Sequence, residues 1–162
     1  MIRFNADEVF EMAEQIERNG AKFYRKAAVG AGGRGAASML LELAAMEDDH
    51  ERTFAAMRAQ LKAGEKVETL GDPDAEGPKY LRALVEGKVF NPSDDPSARL
   101  TGKESLAQIL RTAIGLEKDS IVFYVGMKDM VPSEGGKSRL DEIVAQEIGH
   151  IATLSGKLHA VA

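Results

Sequence analysis

The chain contains no cysteine. That excludes disulfides, thiolate metal sites, cysteine-held iron–sulfur clusters and a cysteine nucleophile. Long apolar runs are missing as well. None approaches the roughly 20 residues of a membrane span, and the start MIRFNADEVFEMAEQ has no apolar stretch like that of a secretory signal. No membrane partner is expected, and a soluble cytoplasmic protein is the default reading. Basic residues are scattered and outnumbered, 21 against 26 acidic for a formal net charge of −5, so no nucleic-acid surface is expected. Strand signals are scarce, with no β-branched run of period two set between turns. What is present is 162 residues, 44% of them hydrophobic, enough for a single domain over 1–162 with a sizeable core.

Helical periodicity accounts for most of that length. Asn5 with Glu8 three residues on reads as a capping box. Apolar and small residues from Val9 to Ala28 then recur at helical spacing, and Gly30, Gly32 and Gly33 close the segment. The pattern predicts helices over about 6–29, 35–63, 102–130 and 134–160, the third capped by Thr101 with Glu104 in the capping-box position. Residues 64–101 form a long connection that holds the turn chemistry of Gly71 to Pro78 and can include a short apolar-sided helix over 79–90. The fold class is therefore all-α, a four-helix bundle with one long crossover between helices 2 and 3. So long a loop without structure would be unusual, so part of it is expected to be ordered on the bundle or on a partner subunit.

Certain charges lie on the wrong face of these helices. The core stripe of helix 1 runs Phe10, Ala13, Glu17, Gly20, Tyr24, and that of helix 2 runs Leu40, Leu43, Glu47, His50, Phe54. Helix 3 gives Leu110, Ala113, Glu117, Ile121, Tyr124, and helix 4 gives Ile143, Glu147, His150 or Ile151, Leu154. Each helix thus turns one Glu inward, and two helices add a His three residues later on the same face. Burying four carboxylates without compensation is prohibitive, whereas divalent cations neutralise them directly. One Glu from each of two helices and Glu-x-x-His from each of the other two is the donor set of a di-iron carboxylate centre. A lone Glu-x-x-His is usually an exposed helical pair; here both copies lie on core stripes. A salt-bridged polar layer is the competing reading, but the stripes supply only His50 and His150 as core cations.

The pattern repeats with one offset. Glu17 maps to Glu117, Phe23-Tyr24 to Phe123-Tyr124, Glu47 to Glu147 and His50 to His150, each 100 residues apart. Helices 1–2 and 3–4 therefore read as two copies of one hairpin about an approximate two-fold axis. The expected metal ligands are Glu17 and Glu117 as terminal carboxylates, Glu47 and Glu147 as bridges, and His50 and His150 as one nitrogen each. Tyr24 and Tyr124, two turns beyond the lone Glu residues, can hydrogen-bond a ligating carboxylate or pass an electron, or serve as core filler with a satisfied hydroxyl. Met12, Met39, Met46 and Met57 are spaced as core filler. Phe90 and the apolar side of 79–90 are candidates for a dimer contact or a lid.

The phrases IERNGAKFYRKAA, LAAMEDDHE, IGLEKDSIVFY and VAQEIGHI resemble the metal-helix signatures of the rubrerythrin family within the ferritin-like superfamily. The resemblance implies a ferritin-like bundle holding two iron ions, with other divalent metals such as zinc or manganese as alternatives. It also implies reduction of hydrogen peroxide or dioxygen by a non-haem di-iron oxidoreductase, and the same six ligands. Rubrerythrins proper add a rubredoxin domain that binds iron through four cysteines; without cysteine here, electrons would come from a separate donor such as a rubredoxin-like protein. They also carry a further Glu three residues after the helix-3 ligand, where this chain has Ser120. The remaining six are close to the symmetric set of bacterioferritins, whose haem-ligating Met is replaced here by Asp48. A homodimer or other small homo-oligomer is expected rather than a storage cage. The alternatives are a ferroxidase or iron-handling protein, and a bundle that binds a divalent metal without redox turnover.

Overall fold

The computed structural model describes residues 4–66, 76–86, 91 and 94–161. Regular structure among them is entirely helical: α1 (Ala6–Gly30), α2 (Arg34–Ala59), α3 (Glu76–Glu86), α4 (Leu106–Met127) and α5 (Glu134–Val161), with 3-10 turns at Pro96–Arg99 and Lys128–Met130. The four long helices α1, α2, α4 and α5 form the bundle, and no helix of the described residues is long and apolar enough to cross a membrane.

Local chemistry sets most boundaries. Asn5 Oδ1 accepts the Glu8 N–H at 2.9 Å and Glu8 Oε2 accepts the Asn5 N–H at 3.0 Å, so the predicted capping box of α1 is present. Gly32 takes a φ of +71° in the break before α2, a conformation that costs a residue with a side chain more. The second helix ends at Ala59 rather than near 63, because i→i+3 bonds from Gln60 and Leu61 tighten its last turn and fold Leu61 into the core. The fourth begins at Leu106, not after Thr101. Glu104 folds back on the N–H groups of Thr101 and Gly102, and Gly102 sits at φ +81°, which no helix continues. Ser105 with Gln108 forms the working box four residues later.

Within each hairpin the helices run antiparallel, as the pairs Arg58–Asp7 and Arg18–Glu51 show for the first and His150–Glu117 and Lys128–Asp141 for the second: numbers rise along one helix as they fall along the other. The α1–α2 and α4–α5 pairs pack most extensively. The crossover is ordered on the bundle over its described residues. α3 lies on α4 with Leu81 and Leu84 buried, in place of the predicted 79–90. Phe90 lies outside the described residues. Gly126 permits the approach, since a Cβ there would stand 2.7 Å from the Tyr80 ring. The Pro96–Arg99 turn rests on α1, where Lys26 donates to the Ser97 carbonyl at 2.8 Å and Asn19 to the Asp94 carbonyl at 3.0 Å.

The core is divided in two. One cluster gathers Phe10, Ala13, Phe54, Phe123, Tyr124, Leu140 and Ile143; the other gathers Leu110, Ala113, Leu154, Phe23, Tyr24, Leu40 and Leu43. Taken in order, each of these seven residues has its counterpart at an offset of 100 in the other cluster. The two-fold relation therefore exchanges the two ends of the core. The layer between them is polar.

Candidate metal centre

Four helices each send one carboxylate into that layer. Glu17 on α1, Glu47 on α2, Glu117 on α4 and Glu147 on α5 are all at most 3% exposed, as are His50 and His150. His150, not Ile151, takes the inward position on α5. The imidazoles lie side by side across the two-fold axis, with centroids 5.7 Å apart and planes 20° apart.

Their Nδ1 atoms define two groups of donors. His50 Nδ1 lies 2.9 Å from Glu147 Oε1, 3.5 Å from Glu17 Oε2 and 3.6 Å from Glu47 Oε2. His150 Nδ1 lies 2.8 Å from Glu147 Oε2, 3.3 Å from Glu47 Oε1 and 3.4 Å from Glu117 Oε1. Within each group one atom per residue falls inside a common 4.8 Å. Glu47 and Glu147 belong to both groups and give one oxygen to each, whereas Glu17 and Glu117 belong to one group apiece.

These contacts are close without being hydrogen bonds. Both Nδ1 atoms, Glu47 Oε1 and both Glu147 oxygens are buried and have no hydrogen-bond partner among the described residues. Orphaned buried polar atoms are rare in folded proteins. Four of the six side chains thus present buried polar atoms that converge without a partner, which fits a pair of cations set among them. Carboxylate oxygen with one imidazole nitrogen suits iron, manganese or zinc. The residues present therefore fit a two-metal centre.

The proton balance has the same form. Burial pushes Glu17 well above the usual carboxylate range, reinforced by Glu47, and pushes Glu117 up to about 8 despite the nearby His150. Burial also acts against Glu47, but Glu17 and the two imidazoles outweigh it and hold Glu47 at about 2; Glu147 is lowered in the same way by His150 and His50. Burial opposes charge on the imidazoles, yet the surrounding carboxylates push His150 up to about 12 and His50 well above its ordinary value. Without metal the layer therefore favours added positive charge at Glu17, Glu117 and both imidazoles, which is what divalent cations would supply.

Tyr24 and Tyr124 join the two halves. Tyr24 Oη donates to Glu117 Oε1, and Tyr124 Oη donates to Glu17 Oε1. The contacts are reciprocal, with numbers rising on one helix as they fall on the other, so α1 and α4 are antiparallel. Burial and then the charges of Glu117 and Glu17 raise the two phenols well above their usual range, so both remain protonated as donors.

One neighbour was missed at the level of sequence: Gln146 Oε1 accepts from His50 Nε2 at 2.7 Å. Gly20 lies against Glu47, where a Cβ would stand 3.4 Å from Glu47 Cγ. Gly20 and Ser120, equivalent under the 100-residue offset, line one cavity of about 50 Å³ with Tyr24, Glu47, Glu117 and the crossover residue Pro96. Met46 is not core filler: it is 37% exposed, beside His150 at the surface.

No protein-family model matches the chain, and no curated protein matches it. Among solved structures it is similar to a ferritin-like diiron-carboxylate protein from Thermotoga maritima, at 25% identity and a TM-score of 0.73, over 100% of this chain and 99% of that one. The bundle and its buried Glu/His donor set are those of the ferritin-like diiron-carboxylate superfamily.

Proposed function

From that superfamily and this donor geometry, we propose that the protein is a non-haem di-iron oxidoreductase that reduces hydrogen peroxide or dioxygen. The observation that carries the reading is the sharing of Glu47 and Glu147 between two otherwise separate groups of buried donors. Glu17 with His50 would complete one metal position and Glu117 with His150 the other, the two shared carboxylates bridging them. Two ferrous ions bound there would supply the two electrons that peroxide takes up.

The chain's own residues would do the rest. The six ligands set charge and spacing. Tyr24 and Tyr124 act as positioning residues that hold the terminal carboxylates and keep a proton at each Oη. The cavity beside Gly20 and Ser120 has room for one or two water-sized molecules, by the roughly 30 Å³ that a water occupies. It gives a small oxidant a way to Glu47 and Glu117. Electrons for repeated turnover would come from a separate donor protein of the rubredoxin type.

The test is anaerobic ferrous loading of the full chain, followed by peroxide or air. Two irons per chain and oxidant loss above the buffer rate are expected; no iron uptake, or none of that activity, overturns the proposal. Uptake of many irons per chain with mineral formation would reassign it to iron oxidation for storage. Ser120→Leu should fill the cavity and slow oxidant loss at least tenfold, with two irons still bound by elemental analysis.

A further inference from the structure

The two halves match at every ligand but differ in what stands behind the histidines. His50 Nε2 is 2.7 Å from Gln146 Oε1, so that ring nitrogen carries the hydrogen and Nδ1 faces the shared carboxylates as the donor atom. His150 Nε2 is buried and has no hydrogen-bond partner among the described residues. The residue related to Gln146 by the 100-residue offset is Met46. A thioether is at best a weak acceptor. Met46, Gln146 and His150 line the same surface cavity of about 360 Å³, with Met39, Leu43 and Thr153, but the Gln146 oxygen is turned to His50. Glu42 also borders it but is hydrogen-bonded by Ser38 at 3.2 Å.

A ligating imidazole is steadied and made more basic when its other ring nitrogen donates to an acceptor, and losing such an acceptor typically costs about 10–100-fold in metal affinity. We propose that Gln146 is a positioning residue that makes the two metal positions unequal, so that the Glu17–His50 position fills before the Glu117–His150 position. This rests on the di-metal reading above and deepens it. The near-symmetric ligand set would then hold two chemically distinct ions. The better-held one lies on the His50 side, and the looser one lies on the His150 side, where Met46 stands in the place of Gln146.

Unequal stepwise constants alone would not decide the matter, because shared bridging carboxylates make any second ion bind differently. The deciding quantity is which position holds the ion at one equivalent. The metal-free full chain would be given one equivalent of zinc, and occupancy at the two positions read from anomalous scattering at the zinc edge. The expected result is a preference of at least tenfold for the His50 side. Gln146→Leu should bring occupancy close to parity. Met46→Gln, which supplies the missing acceptor, should do the same from the other side by strengthening the His150 position. Both positions are exposed, so folding should survive both changes. Equal occupancy in the unmodified chain, or a preference that Gln146→Leu leaves untouched, overturns the inference while the di-metal centre stands. Failure of the unmodified chain to take up zinc, manganese or iron at all would overturn both.

Discussion

Tyr24 and Tyr124 each reach past their own hairpin to the lone Glu of the other. Removing one hydroxyl should therefore act at a distance of about 100 residues in sequence. Tyr24→Phe is expected to weaken uptake at the Glu117–His150 position and Tyr124→Phe at the Glu17–His50 position, each by about tenfold. Metal titration of the two variants checks this; unchanged isotherms would leave both residues as core filler. The protons held by the metal-free site set the pH dependence. Burial raises Glu17 and Glu117, and the surrounding carboxylates raise both imidazoles, so divalent ions compete with protons at these groups. Affinity should rise with pH and fall on acidification, and loading in weak buffer should acidify the solution. An affinity flat between pH 6 and 8 would contradict this. The inward-facing Glu and His residues are legible in sequence because a spacing of three places Glu47 with His50, and Glu147 with His150, on one helix face. Gln146 is not legible, because it sits on a solvated flank and meets His50 only through packing of α5 on α2.

Among the elements, the crossover gave the least information in advance. A short helix was legible from its apolar side, yet its bounds and its resting place were not. α3 docks on α4 because Gly126 leaves room for Tyr80 and Leu81. Gly126→Leu is expected to lift α3 from the bundle, shown by faster hydrogen exchange and proteolysis over 76–86, with two metals still bound. Unaltered protection there would mean that α3 is held by contacts other than this approach. The start of α4 carries a related lesson. Two overlapping cap signals, Thr101 with Glu104 and Ser105 with Gln108, compete in the sequence. The left-handed backbone at Gly102 decides for the second.

For the whole molecule, the polar layer lies between two apolar clusters related by the same two-fold that relates the ligands. Metal should then act as a bolt between the hairpins. At a thousandfold excess over Kd, binding to the folded state alone contributes about 4 kcal/mol. For a domain of this size that is roughly a 10 °C rise in Tm. Calorimetry with and without chelator measures it, and a Tm indifferent to divalent metal would count against the centre. The sequence by itself determined which side chains face inward and that the two hairpins are copies. Both follow from helical periodicity, which is local and is written in every turn. Only the tertiary structure decided which carboxylates serve both donor groups, that each Tyr holds the opposite half's Glu, and that Gln146 supports one His while Met46 leaves the other bare. Those facts depend on the register between helices, which is set by packing among side chains far apart in the chain, and no single helix's period encodes it.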